Sequence, residues 1–524
     1  MQTINKNKYT ILILLIAYLS LRLSSLFTIP FMQDEAEYLF WAKNIIADPS
    51  QFLMPLSMGV KPLYTWLEIP FLLTGHILEI HEARMVSLIA GIFTMLALYL
   101  LSNELFKNKK IGLLAVIIYI FWPYAQIYNS VSVFEGTVGA FILFTLLLSI
   151  KLIKNPKLVY AIGFGSLLGF GLLTKKHAAF NAYLLPFSFL YLPIKTLSFK
   201  NVKKIVLHKD FKKIILLFLL AFIIAIGMQQ ILKLSPDFKR IAWYEGGTIY
   251  TKKTWLMMSF AKKLSVFTAN STMWSKIYTN VTLPYWLLLG YSLTLFKKYW
   301  KAFIILFAYF LIPALALAFF GTRAADHWIY PMPLTLIPLI ALGLYLIGEK
   351  IEGIIAKNNK FKKKIKYAIY ALFIIYPAYF IFMIIFNPLS SPLPLSEKYH
   401  FYVCQMEMFL PDVPMLNKIA TYKKIVIGTE NDKGFKNFMA VNLWNDKNIM
   451  VNGYWSKHKE IPIDLEKASY KMPAYYARIT YKYENFNYDP PSNVPIKLLS
   501  KRISNTGICT YRLYKINSKL TYNK

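Results

Sequence analysis

Charge is what this sequence holds least of: 16% of its 524 residues are Asp, Glu, Lys or Arg, while 56% are hydrophobic. A soluble domain of this size needs more polar surface, so that class is excluded. Acids are scarcer still, 26 against 60 Lys and Arg, for a net charge of +34. In a soluble chain such an excess points to nucleic acid. Here most of the lysine lies in short blocks between apolar runs, where it marks topology and meets anionic lipid. Nucleic acid is therefore not an expected partner. There is no internal repeat, and no spacing of His, Cys or acid marks a metal site. Cysteine is nearly absent, with Cys404 and Cys509 alone, both late in the chain.

What the sequence does hold is a series of apolar runs, most of about 17 to 23 residues, long enough to cross a hydrocarbon core of roughly 30 Å as helices. Backbone groups in lipid must be bonded internally, so the runs are helices and not open sheet. Spans are expected near 11–29, 84–106, 111–128, 134–150, 158–174, 177–194, 214–232, 283–296, 302–320, 329–348 and 367–386. That makes about eleven transmembrane helices. No small-residue cleavage site follows the first run, which is expected to stay as an anchor. Lysine blocks such as Lys107/Lys109/Lys110, Lys151/Lys154/Lys157 and Lys297/Lys298/Lys301 fall in alternate loops. The positive-inside bias then puts the N-terminus in the cytoplasm of a multi-pass cell membrane protein.

The membrane module is expected over residues 1–388, with a first outer loop at 31–82 and a second large one at 233–282. Within the first, 64–80 is apolar but short, which suits an interfacial helix. Residues 389–397 are a proline-rich linker, and 398–524 read as a small α+β domain outside the cytoplasm. Strands are expected at Lys424–Gly428, Asn448–Asn452 and Ala477–Tyr483, and a helix at Gly434–Trp444. A Cys404–Cys509 disulfide and two separate buried thiols both fit such a domain.

The alternation sorts the ionisable residues by side. Asp34, Glu35, Glu37, Lys61, Glu135, Lys175, Lys176, His177, Arg323, Asp326 and His327 share the outer face, arriving from four loops. A single interfacial lysine commonly snorkels. Several acids and bases converging at membrane depth point instead to a shared site.

The motifs are Asp34-Glu35, Lys61-Pro62-Leu63-Tyr64-Thr65-Trp66, Ala83-Arg84, Ser132-Val133-Phe134-Glu135-Gly136, Leu173-Thr174-Lys175 and His327-Trp328-Ile329-Tyr330-Pro331. In this order and spacing they resemble the polyprenyl-phosphate-dependent glycosyltransferases of the GT-C fold. The protein mannosyltransferase and lipid A aminoarabinose transferase branch is the nearest. Three positions depart from that pattern. One proline follows Lys61 where the family has two, Glu135 stands where many relatives have Asp, and Lys176-His177 replaces a glycine.

The resemblance implies a GT-C-like fold and an inverting hexosyl- or pentosyltransferase. Its donor would be a polyprenyl-phosphate-linked sugar, and its acceptor a hydroxyl or phosphate on a glycolipid, a cell-surface glycan or a protein. It implies Asp34 as the base, since a carboxylate at the water–lipid boundary can be tuned toward working pH. Glu135 would position sugar or acceptor. Lys61, Lys175 and Arg323, with Arg84, would stabilise charge growing on the leaving phosphate. Glu35, Tyr64 and His327 would line the substrate. No metal or other cofactor is required. A transporter or flippase using the same acids is the rival reading, but it would place charges near the midplane of inverted repeats.

Overall fold

The computed structural model of the protein describes residues 2–29, 33–73, 79–192, 208–241, 252–320, 330–354, 359–386, 410–420, 425–429, 449–453, 474–481, 496–503 and 509–516. They fall into two compact units, Met1–Ile29 with Asp48–Asn387, and Pro30–Ala47 with Pro388–Lys524. The acid-rich segment before residue 48, expected inside the membrane module, thus groups with the C-terminal residues.

The first unit is a multipass membrane bundle. Its helices are α1 (Gln2–Thr28), α3 (Leu63–Leu72), α4 (Glu79–Phe106), α5 (Lys109–Ile120), α6 (Pro123–Tyr128), α7 (Phe134–Lys154), α8 (Leu158–Thr174), α9 (Phe180–Tyr183) and α10 (Leu185–Ser188). They continue with α11 (Phe211–Gln229), α12 (Lys252–Met257), α13 (Phe260–Ser292), α14 (Phe296–Phe320), α15 (Ile337–Ile354) and α16 (Asn359–Phe386); α2 (Gln33–Ala47) belongs to the second unit. Among the described residues, seven helical stretches have the length and apolar composition to cross a membrane, with Leu158–Thr174 a shorter apolar helix. One stretch, Val281–Phe320, holds α13 and α14 packed on each other across a turn at Leu293–Leu295.

Two expected spans are interrupted, and proline marks both places. The stretch 111–128 breaks at Phe121–Trp122, and Pro123 opens α6. Proline supplies no backbone N–H and so suits a first helical position better than an interior one. The stretch beginning at 177 is a chain of short turns, with Pro186 near the start of α10. Conversely, much of the expected outer loop is helix, because α13 begins at Phe260, where Ser259 accepts from the Lys262 N–H at 3.3 Å. In the first loop α3 ends at Leu72, short of the expected 64–80.

Helix α8 lies against α11 with little space between the backbones. A Cβ on Gly165 would sit 2.5 Å from the Ala221 carbonyl oxygen, and one on Gly169 would sit 2.5 Å from Met228 Sδ. Gly165 and Gly169 are four residues apart, as are Ala221 and Ala225, and both alanines are buried. Small residues at this spacing let helices in lipid approach closely. Phe164, Leu168, Ile214 and Phe218 fill the flanks.

In the second unit, α17 (Val413–Ala420) accompanies a five-stranded sheet of order β2-β1-β3-β5-β4. The strands are β1 (Ile425–Thr429), β2 (Ile449–Gly453), β3 (Ala474–Tyr481), β4 (Ile496–Ile503) and β5 (Cys509–Ile516). Strand β1 is parallel to β2 and β3, while β5 runs antiparallel to β3 and β4. The three strands expected from the sequence match β1 to β3 in place. The other two were not anticipated, and Gly434–Trp444 lies outside the described residues. The Arg502 guanidinium meets the buried Asp412 carboxylate at 2.5 Å, a bond that holds the guanidinium above its ordinary pKa.

Replacing Gly165 by Leu should force α8 away from α11. A loss of about 1–3 kcal/mol is expected from overpacking, whereas Gly227→Leu, on open surface of α11, should change little. Thermal unfolding of the two variants in detergent measures the difference.

Candidate functional site

The site begins where α7 does. Val133 is extended (φ −137°, ψ 149°) and supplies no side-chain cap, so the helix starts at Phe134 and Glu135 falls in its first turn. Free N–H groups and the helix dipole favour a negative charge there. The Glu135 side chain is 3% exposed and accepts a hydrogen bond from Lys175 Nζ at 2.8 Å. Lys175 follows the last residue of α8 in an extended conformation, its backbone N–H bonded to the Gly171 carbonyl at 2.8 Å. Its side chain is 14% exposed, and the ammonium stands 4.3 Å from the centre of the Phe134 ring. A cation over an aromatic face gains further attraction when partly desolvated.

Each residue of Ser132–Gly136 has a job in this arrangement. Ser132 Oγ is hydrogen-bonded to Glu68 Oε1, and the Val133 carbonyl accepts from Ser87 Oγ at 3.0 Å. The Phe134 ring meets Tyr64 edge-on, with centroids 6.3 Å apart. At position 136 a Cβ would come within 3.0 Å of the Tyr128 carbonyl oxygen and 2.9 Å of Asn129 Oδ1, so the returning chain requires glycine.

Two of the expected substrate residues also brace the bundle. The Tyr64 side chain is buried, with its hydroxyl 2.8 Å from Ser87 Oγ and 3.1 Å from Ser132 Oγ, and it braces the turn before α7. Arg84 is also buried, and its Nη1 donates to the carbonyls of Leu26 at 2.6 Å and Ile29 at 2.9 Å, which anchors the end of α1. Lys176-His177, which stands in place of a glycine of the family pattern, forms a 3-10 turn over Lys176–Ala179 with His177 buried and Lys176 half-buried. Lys61 is half-buried two residues before α3.

Asp34 and Glu35 lie in the first turn of α2, in the second unit, Asp34 half-buried and Glu35 buried. On the same helix Tyr38 and Trp41 are buried, with rings 5.7 Å apart. Arg323, Asp326, His327 and Cys404 lie outside the described residues. Glu68 and Ser87 went unnoticed in the sequence, although Tyr64 and Glu68 are four apart and so share one helix face.

An apolar cavity of about 580 Å³ runs between α3, α4, α7 and α8. Its wall on α7 begins at Thr137, two residues beyond Glu135, and continues through Ala140 and Phe141 to Phe144. Leu67, Phe71, Val86 and Phe93 face it from α3 and α4. Such a wall suits a hydrocarbon chain. Among the described residues no three His, Cys, Asp or Glu side chains are grouped to hold a metal ion.

Residues 61–227 match the family model of dolichyl-phosphate-mannose-protein mannosyltransferases. That segment contains Lys61, Glu68, Ser87, Glu135 and Lys175. Among solved structures, the chain is similar to ArnT from Cupriavidus metallidurans in the apo state, at TM-score 0.53 and 10% identity, over 98% of each chain. It is equally similar to ArnT from Cupriavidus metallidurans bound to undecaprenyl phosphate, at TM-score 0.54 and 11% identity, over 97% of this chain and 98% of that one. Comparison with curated protein sequences gives no match. The protein thus has the GT-C fold, with a small strand-containing region at its C-terminal end.

Lys175→Met should leave the Glu135 carboxylate without the ammonium bonded to it and destabilise the bundle by about 3–5 kcal/mol. Lys175→Met combined with Glu135→Leu should recover most of that loss. Thermal unfolding of the single and double variants gives the coupling, and simply additive losses would show that the pair is not a unit.

Proposed function

We propose that this protein is a membrane glycosyltransferase that moves a sugar from a polyprenyl-phosphate donor to an acceptor on the extracytoplasmic face. The observation that carries the reading is the Lys175 ammonium bonded to Glu135 in the first turn of α7, the helix that also walls an apolar cavity from Thr137 to Phe144. A cation and an apolar wall carried on the same bundle suit a ligand with an anionic head and an isoprenoid tail. The mannosyltransferase family match over 61–227 and the likeness to an ArnT that binds undecaprenyl phosphate support the same ligand class.

In the proposed step an acceptor hydroxyl gives its proton to Asp34, and its oxygen forms a bond to the anomeric carbon. The bond from that carbon to the phosphate oxygen breaks, and the lipid phosphate leaves with one more negative charge. Configuration at the carbon inverts, because attack and departure occur on opposite faces. Lys61 and Lys175 act on the phosphate. Fixed cations there stabilise the transition state more than the ground state, since the charge is still growing. Glu135 keeps Lys175 in place before the donor arrives and then receives a hydroxyl of the sugar or acceptor. Arg323 and His327 are assigned to the phosphate and sugar by the family resemblance alone. The step as proposed requires no metal.

The acceptor class, whether glycolipid, surface glycan or protein, is to be read by mass spectrometry of those fractions from cells with and without the gene. Loss of one sugar from one fraction is the expected result, and unchanged fractions would count against transfer. With the acceptor in hand, Asp34→Asn should lower turnover by about 10²–10⁴-fold, the usual weight of a general base, without loss of membrane insertion. Lys61→Ala should weaken undecaprenyl phosphate binding, measured by native mass spectrometry, more than acceptor use. Wild-type turnover by Asp34→Asn would remove the base assignment.

A further inference from the structure

Three of the lysine blocks in the sequence, those of Lys107, Lys154 and Lys301, converge at the end of the bundle away from Glu135. Glu135 and Lys154 stand at opposite ends of α7, about 28 Å apart at 1.5 Å per residue. The Glu104 carboxylate, near the end of α4, takes two of the lysines on a single oxygen. Its Oε1 accepts from Lys107 Nζ at 2.8 Å and from Lys154 Nζ at 2.7 Å. Lys154 Nζ also stands 4.5 Å from the centre of the Tyr191 ring. The next residue, Leu192, offers its carbonyl to Lys301 Nζ at 3.0 Å. Lys154 lies within reach of the charges of both Lys107 and Lys301. Among the described residues no carboxylate meets Lys301. The chain leaving Leu192 brings none, since Lys195, Lys200, Lys203, Lys204 and Lys209 precede its first acid, Asp210.

Three positive charges thus share one negative. Topology requires only that lysines lie on one side of the membrane, not that three loops gather them against their mutual repulsion. A lysine that merely snorkels extends its ammonium toward water. Lys301 is half-buried and turns its ammonium onto a backbone carbonyl. The helix dipole favours Lys154 in the last turn of α7, but it works against Lys301, two residues past the kink at Tyr299 near the start of α14. The Tyr191 hydroxyl is shielded from solvent and has no hydrogen-bond partner among the described residues.

We propose that Lys154 and Lys301 form a binding site for the phosphate of an anionic phospholipid headgroup. A phosphodiester carries one negative charge and two free oxygens, so it can accept from both ammoniums and offset the excess charge. The depth suits a headgroup. The Phe106 and Tyr299 rings meet edge-on with centroids 5.2 Å apart, and Lys301 Nζ stands 5.7 Å from the centre of the Trp300 ring. Tyr and Trp collect at headgroup level, and basic pockets between membrane helices take anionic headgroups there. The site is remote from Glu135 and takes no part in the proposed transfer.

Native mass spectrometry of the full chain in detergent, with phosphatidylglycerol or zwitterionic phosphatidylcholine added, tests the site. The wild type should hold phosphatidylglycerol more tightly. Lys154→Gln and Lys301→Gln should each weaken that binding about fivefold, and the two together about thirtyfold, the weight of one and two lysines near a lipid surface. Lys154→Arg with Lys301→Arg keeps both charges and should retain the lipid. So should Lys212→Gln, which removes an exposed lysine from the first turn of α11. Phosphatidylglycerol should raise the melting temperature of the wild type and not that of the Gln pair, which without lipid should melt close to the wild type. Equal retention of the two lipids, or unchanged binding by the Gln pair, overturns the site. A Gln pair that melts well below the wild type, with an Arg pair that binds no better, also overturns it, because the lysines would then be supports. Inorganic phosphate that stabilises the wild type as strongly as phosphatidylglycerol would overturn the lipid assignment in favour of a free anion.

Discussion

A polar backbone group buried among apolar helices must find its partner inside the protein, and this requirement governs the region between α5 and α7. The chain leaves helical geometry there twice, which frees carbonyls where water is scarce. Arg22 of α1 and Tyr285 of α13 take up three of them, and side chains of the interrupted stretch bond to α1 in return. Arg22 donates through Nη2 to the carbonyls of Ile120 at 3.0 Å and Tyr119 at 3.4 Å, and its guanidinium lies 5.2 Å from the centre of the Tyr18 ring. Gln126 donates to the Leu21 carbonyl at 2.7 Å and to Ser25 Oγ, and Ser130 reaches the Arg22 carbonyl at 3.3 Å. Tyr285 satisfies the Phe121 carbonyl at 3.1 Å. A positive charge beside the end of α5 also meets the negative end of the helix dipole.

The interruption has a functional consequence. A continuous helix through 121–133 would carry Glu135 on as an interior residue of a longer span. Because the chain breaks and turns, α7 starts afresh at Phe134 and Glu135 sits in a first turn, facing Lys175. The lysine is fixed from the other direction: α8 is seated on α11 through Gly165 and Gly169, so the residue just past its end has little freedom. Two buried arginines, Arg22 and Arg84, thus bind helix-end carbonyls and hold the frame in which a third cation, Lys175, meets an acid.

Much of this was legible in the amino-acid order. Long apolar runs between lysine blocks announce membrane helices, since hydrocarbon thickness sets their length. Ser132–Gly136 and Leu173–Lys175 stand out as polar residues at the ends of such runs, and they do come together. Tyr64 and Arg84 also stood out, but their motif positions did not show the bracing contacts that the structure gives them. Such contacts depend on which way a side chain points. Glu68 was passed over because a lone acid on a short apolar helix looks like an interfacial residue until its neighbours are known. Strands β4 and β5 were missed because charged residues interrupt their apolar pattern, as edge and near-edge positions tolerate.

What the sequence by itself determined is the class of molecule and the residue types available for chemistry. Composition and run length are local properties, and they suffice to exclude a soluble fold and to place acids and lysines at helix ends. Only the tertiary structure decided which of those groups meet. The 2.8 Å bond between Glu135 and Lys175 spans 40 residues, and the contact between Ser132 and Glu68 spans 64. Such pairings depend on how helices pack, through glycine contacts and carbonyls that must be satisfied, and no local pattern encodes them.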